Sequence, residues 1–418
     1  MMMGPGPRSP SVDVFISLEK LIYNPGDLLS GTVELDLKRK LVCDLITIRL
    51  FGSARVFFME IKTEQGQLSK TTGNEQEKVL IDVKADIWQT SDETDPTREL
   101  SIDEIVRLSS STSIKPRRII PSTLPGLESG RYKFPFSFQL PEGGLETSFD
   151  AEHSAGCVRY FLQMDANRNG ITGLRKKLLF PIVRPSNLSN KKAALGHCEE
   201  EKTYKSKKGD VHIKITLPRV YFVPGEPVNG EITIKNSTDK SIKHSRLSLV
   251  QRAFCYATYP NVKIKETFFE TAGMGLPIHK ITAGDSYTYP IQFYISALAP
   301  TFEMIGILSV DYFLKLNVGF LRHCPEKSVI PTIKAPIVIG THSPYNSKDY
   351  AGTSGNDDAL PGYSEMPSVF DAPPPYSVCT SDAGLTKLPG TDNDGLAGYS
   401  PLYYQLGSDG DQVLRKRV

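Results

Sequence analysis

Four residues near the C-terminus of this 418-residue chain have the types and spacing for a defined chemistry: Pro373, Pro374, Pro375 and Tyr376. Consecutive prolines fix φ near about −65° and favour a polyproline II helix of about three residues per turn. Positions i and i+3 share a face, so Pro373 and Tyr376 present together, with Pro374 on the neighbouring ridge. That face fits the aromatic-lined groove of a WW domain, and little ordering is left to do on binding. The alternative reading is a stiff spacer. An earlier tetrapeptide, Leu360-Pro361-Gly362-Tyr363, keeps Pro361 and Tyr363 but lacks one proline, which predicts a weaker second site. Two sites on one chain would engage tandem WW domains with raised avidity. Three segments fit tyrosine-x-x-bulky apolar: Tyr363-Ser364-Glu365-Met366, Tyr399-Ser400-Pro401-Leu402 and Tyr403-Tyr404-Gln405-Leu406. Such segments can add as a β-strand to an adaptor, although a tyrosine-rich tail also produces the pattern by accident.

The residues of catalysis do not assemble. The seven histidines are scattered, and His323-Cys324 lacks the remaining ligands of a zinc site, so it reads as a strand end. Gly273-Met274-Gly275 reads as a hairpin turn, and no phosphate-binding loop or nucleophile elbow is present. No catalytic residue, cofactor or metal is therefore expected. A net charge of +2 argues against a nucleic-acid partner, and Lys202, Lys205, Lys207 and Lys208 read as a solvated linker face. The six cysteines form no Cys-x-x-Cys pair and no apolar leader is visible, which predicts reduced thiols in a cytoplasmic protein. The window Ile305 to Leu321 is interrupted by Asp311 and Lys315; it reads as a long strand and not as a membrane span.

The scaffold that would carry these residues reads as all-β. Val14, Ile16 and Leu18 alternate with Phe15, Ser17 and Glu19, and a longer alternation runs from Leu45 to Phe58. One short helix is predicted over Arg98 to Ser109, with Ser101 as N-cap and Glu104 completing a capping box, inside an inserted loop Thr90–Ser113.

The pattern then repeats. Tyr23-Asn24-Pro25-Gly26-Asp27 and Gly31 are matched by Tyr221-Phe222-Val223-Pro224-Gly225-Glu226 and Gly230. Tyr132-Lys133-Phe134-Pro135 is matched by Tyr287-Thr288-Tyr289-Pro290, and Tyr160-Phe161-Leu162 by Tyr312-Phe313-Leu314. Each half is expected to close through a proline, Pro181 and Pro331. Pro-Gly suits a type II turn, and proline suits a strand near a sheet edge. Two copies of one unit, without crossover helices, predict two antiparallel β-sandwiches. The expected division is an unstructured 1–11, sandwiches over 12–184 and 209–340, a polar connector 185–208, and a disordered tail 341–418 too poor in apolar residues to offset its ordering entropy.

Tandem sandwiches opened by these turns and followed by Pro373-Pro374-Pro375-Tyr376 resemble the arrestin domain-containing proteins, the α-arrestins. The resemblance covers about residues 12 to 340 and the tail motif. It implies an adaptor without enzymatic activity, whose tail recruits a WW-containing HECT-type ubiquitin ligase. Its sandwiches would meet cytoplasmic segments of membrane receptors or transporters, for endocytosis or sorting at the plasma membrane and endosomes. Endocytic adaptors are further partners of such a protein. The chain departs from the family at Leu360-Pro361-Gly362-Tyr363 and in the length of the Thr90–Ser113 insertion. One family member binds thioredoxin through a cysteine of its second domain, but Phe269 to Asp285 holds none, so that activity does not carry over. The rival implication is a retromer-subunit-like coat or sorting protein that needs no ligase.

Overall fold

The computed structural model describes residues 12–64, 67–90, 125–151, 154–186, 196–276, 280–321, 330–342, 399–406 and 412–416. Among them are strands and turns and no helix. The helix expected over Arg98 to Ser109 lies outside the described residues.

The first half supplies β1 (Val12–Leu18), β2 (Leu28–Leu37), β3 (Leu45–Glu64), β4 (Gln67–Gln89), β5 (Gly130–Gln139), β6 (Gly156–Arg168) and β7 (Ile171–Phe180). They make two sheets, ordered β1-β2-β5 and β4-β3-β6-β7. The second half supplies β8 (Cys198–Ser206), β9 (Gly209–Leu217), β10 (Tyr221–Phe222), β11 (Pro227–Asn236), β12 (His244–Ala257) and β13 (Lys263–Gly275). It continues with β14 (Ser286–Tyr294), β15 (Phe302–Met304), β16 (Leu308–Gly319) and β17 (Ile333–Ile339). Their sheets run β14-β11-β9-β8 and β10-β17-β16-β12-β13, with β15 on β16. A last pair, β18 (Leu402–Leu406) and β19 (Gln412–Lys416), is antiparallel. The fold is two tandem antiparallel β-sandwiches.

Two compact units emerge. The first takes in Met1–Ser53, Lys78–Leu145 and Arg159–Ile182; the second takes in Ala54–Glu77, Glu146–Val158 and Val183–Val418. Each core is filled by alternate residues of its central strands. In β16, Leu308, Val310, Tyr312, Leu314, Leu316 and Val318 point inward, and each buried aliphatic contributes about 1.5–3 kcal/mol. Asp311 and Lys315, which break up this window in the sequence, fall on the opposite face of the pleat.

The repeat extends to register. In the first unit Gly31 pairs with Phe136 and Thr32 with Pro135; in the second Gly230 pairs with Ile291 and Glu231 with Pro290. Both opening turns place glycine at positive φ, 87° at Gly26 and 94° at Gly225, as a type II turn requires. Both are closed by the acid that follows. Asp27 accepts the Asn24 N–H at 2.9 Å, and Glu226 accepts the Val223 N–H at 3.1 Å. Asp27 also pairs with Lys20, and Glu226 with Arg219.

Three expectations need correction. Pro331 is not the counterpart of Pro181: Tyr23 bridges Ile182 in parallel, and the matching partners of Tyr221 and Phe222 are Val338 and Ile339. Parallel pairing of the opening segment, and not a proline, marks the end of each unit. Cys198–Ser206, placed in the connector by its charge, is strand β8 on the edge beside β9. Its charges suit an edge: Glu199 pairs with Lys214 at 2.7 Å, Lys202 donates to the Thr332 carbonyl at 2.8 Å, and Tyr204 meets Phe320 edge-on. The tail also does not stay unstructured to its end, because 402–406 and 412–416 pair. This short pair is marginal by itself, and it is held by the contact described below.

Candidate interaction sites

Pro361, Tyr363, Pro373, Pro374 and Tyr376 lie outside the described residues, as do His323 and Cys324. The point from which the tail leaves the second unit is described. After β17 the chain passes Gly340, Thr341 and His342, where it meets Ser186 and Tyr221. Ser186 Oγ lies 3.0 Å from Tyr221 Oη and 3.1 Å from Thr341 Oγ1. The Ser186 N–H donates to Thr341 Oγ1, the Thr341 N–H donates to Ser186 Oγ, and Tyr221 Oη donates to the His342 carbonyl at 2.9 Å. Tyr221 is fully buried, and burial pushes its phenol above the ordinary value, so it stays a donor. Tyr23, its counterpart, serves its own turn instead: its hydroxyl accepts the Lys20 N–H and donates to the Ser30 carbonyl. The network at Tyr221 is thus particular to the second unit. Nothing in the residue types announces it, because 155 residues separate Ser186 from Thr341.

The chemistry available elsewhere is not catalytic in form. Among the described residues no three His, Cys, Asp or Glu side chains gather to hold a metal. A water-sized cavity in the second unit lies among Phe149, Ser154, Gln251, Ala253, Thr267 and Phe269, none of them titratable. Burial pushes the thiols of Cys43 and Cys255 up to about 11 and also raises Cys198. These groups are not poised thiolates. The folded state holds the Cys43 and Cys255 protons where the unfolded chain would release them. Their contribution is therefore complete below about pH 9 and fades as pH rises towards 11. Urea unfolding should show a loss of about 2–3 kcal/mol per thiol across that window, absent from Cys43→Ala and Cys255→Ala.

Each outer sheet face has an arginine–aromatic cluster. Arg49 makes a bidentate pair with Asp82 and lies 4.7 Å over Phe51, while Lys177 covers Phe161 at 4.8 Å. In the second unit Arg252 makes a bidentate pair with Asp311 and lies 4.4 Å over Phe254, while Lys334 covers Phe313 at 4.9 Å. A cluster present in both copies belongs to the fold, since a site specific to one partner has no reason to be duplicated. Half-exposed pairs of this kind contribute little stability.

The end of the tail has no such counterpart. Tyr403, in β18, is 1% exposed, and its hydroxyl donates to the Ser148 carbonyl at 2.9 Å within the second unit. Pro401 is buried beside it in sequence. Of the three tyrosine-x-x-apolar tetrapeptides, the one beginning at Tyr403 is therefore part of a strand. Its alternation, Leu402-Tyr403-Tyr404, followed by Val413-Leu414, was the available signal.

Residues 207–345 match the family model described as Arrestin (or S-antigen), C-terminal domain, which spans the sandwich from β9 to β17. The chain is an arrestin domain-containing protein. It is similar to Protein ttm-2 of Caenorhabditis elegans, 22% identical over 334 residues that make up 78% of this chain and 88% of that one. It is also similar to Thioredoxin-interacting protein of Sus scrofa, 23% identical over 65% of this chain and 69% of that one. Arrestin domain-containing protein A of Dictyostelium discoideum is 22% identical over 57% of this chain, but only 36% of that longer protein is covered. In the arrestin domain, the opening turn at Tyr221–Glu226 and the closing strand β17 come together at the network from which the tail departs. Among the described residues no helix is long and apolar enough to cross a membrane.

Proposed function

We propose that this arrestin domain-containing protein is an adaptor that brings WW-containing HECT-type ubiquitin ligases to membrane-protein cargo. The sandwiches meet cytoplasmic segments of receptors or transporters, and the ligase modifies the cargo for endocytosis or sorting. The adaptor works from the cytoplasm and is recruited to the plasma membrane and endosomes. The observation that carries this reading is Pro373-Pro374-Pro375-Tyr376 following an arrestin C-terminal domain in one chain. The absence of a catalytic constellation from the residue pattern supports an adaptor whose partner supplies the catalysis.

Pull-down of tandem WW domains by the full chain tests it. Tyr376→Ala removes the aromatic anchor and should weaken capture by about 30-fold, the scale of a ~2 kcal/mol hot spot. Tyr363→Ala should have a several-fold effect, because its tetrapeptide lacks one proline. Phosphorylated Tyr376 should bind worse, since it brings about −1.5 to −2 charges into an apolar groove. Undiminished capture by Tyr376→Ala would sink the proposal. Deleting Ser343 to Val418 separates it from a coat role, which would survive the loss of the tail.

Likeness to Thioredoxin-interacting protein does not bring thioredoxin binding with it. Phe269 to Asp285 holds no cysteine, and burial holds the Cys43 and Cys255 thiols in their protonated, unreactive form.

A further inference from the structure

We propose that Tyr403-Tyr404-Gln405-Leu406 is a docking signal for a tyrosine-reading endocytic adaptor, and that the second unit of this chain holds it masked. A reader of extended peptides needs three things from its ligand: a free aromatic ring, an apolar side chain three residues on, and an unpaired strand edge. The docked segment withholds two of them. The Tyr403 ring is 1% exposed with its hydroxyl donated to Ser148, and the backbone of β18 is paired along β19 from Leu402 to Leu406. One ring cannot occupy both places, so internal docking and adaptor binding exclude each other. The apparent affinity of the full chain is then the intrinsic affinity reduced by the undocked fraction.

The contact is specific in kind. A phenol donating to a main-chain carbonyl, far apart in sequence and closed off from water, is a made site and not a resting place for a stray tail. It has no counterpart among the features the two units share. It also uses other residues than the ligase motif, so it stands or falls separately from the function proposed above.

The test compares the full chain with a synthetic peptide of residues 399–418, using the tyrosine-signal-binding domain of an adaptor medium subunit as the probe. The peptide should bind, and Tyr403→Ala in the peptide should abolish binding. The wild-type full chain should bind at least about tenfold more weakly than the peptide. Pro401→Glu places a charge at a buried position next to the docked strand and leaves Tyr403 and Leu406 intact. It should raise the affinity of the full chain to that of the peptide, while leaving the peptide itself unchanged. Hydrogen exchange should show amides 402–406 protected in the wild-type chain and released by Pro401→Glu. A peptide that fails to bind overturns the signal; equal binding by peptide and wild-type chain overturns the masking.

Discussion

Tyr221→Ala should destabilise the second unit by about 3–5 kcal/mol, much of the margin by which a domain of this size stays folded. The ring is fully buried, and its removal opens a cavity against Val223 and Val338. The hydroxyl is the link between Ser186 and the His342 carbonyl, so the truncation also strands their hydrogen-bonding groups. Tyr221→Phe separates the two effects. It keeps the packing, should lose only about 1 kcal/mol, and should speed amide exchange at Thr341. Chemical denaturation of both variants checks the ranking. Equal losses would mean that the ring contributes nothing beyond its hydroxyl. The function is coupled to this site because the ligase motif hangs from the chain that leaves at His342.

Gly31→Ala and Gly230→Ala should each lower the melting temperature by about 5–10 °C, corresponding to about 2–3 kcal/mol of overpacking. A methyl at Gly31 would collide with the Ser17 carbonyl oxygen and meet the Phe136 ring at 2.7 Å. One at Gly230 would lie 2.6 Å from the Thr216 carbonyl oxygen and 2.8 Å from Leu217. The glycines are needed for space, since backbone of the neighbouring strand cannot retreat as a side-chain tip can. Differential scanning calorimetry should show the first substitution shifting one transition and the second the other. If neither moves, the matched glycines are not the close approaches that the two units share.

Much of the scaffold was legible because its signals are local. Pro25-Gly26-Asp27 and Pro224-Gly225-Glu226 specify their turns within a few residues, and the acid that closes each turn is three places from the amide it accepts. Pleat alternation placed the long strand through Leu308–Gly319 despite Asp311 and Lys315. The second copy confirmed the first, since Tyr160-Phe161 and Tyr312-Phe313 recur in matching strands. The closing landmark was misread because proline is common near strand ends, whereas the parallel bridge of Tyr23 to Ile182 and of Tyr221 to Val338 has no local signature. Strand β8 was hidden by its charge. On an edge, Glu199 and Lys202 are satisfied by Lys214 and the Thr332 carbonyl, partners chosen by the fold and not by sequence neighbours.

The same division applies to function. The sequence by itself determined the doubled all-β architecture and the face presented by Pro373, Pro374 and Tyr376, because prolines and pleats impose their geometry on adjacent residues. Only the tertiary structure decided that Ser186, Tyr221, Thr341 and His342 meet, and that Tyr403 is spent on Ser148. Those contacts join residues separated by 155 and 255 positions. No local preference can announce them, because the partner that satisfies each hydroxyl is supplied only when the sandwich closes.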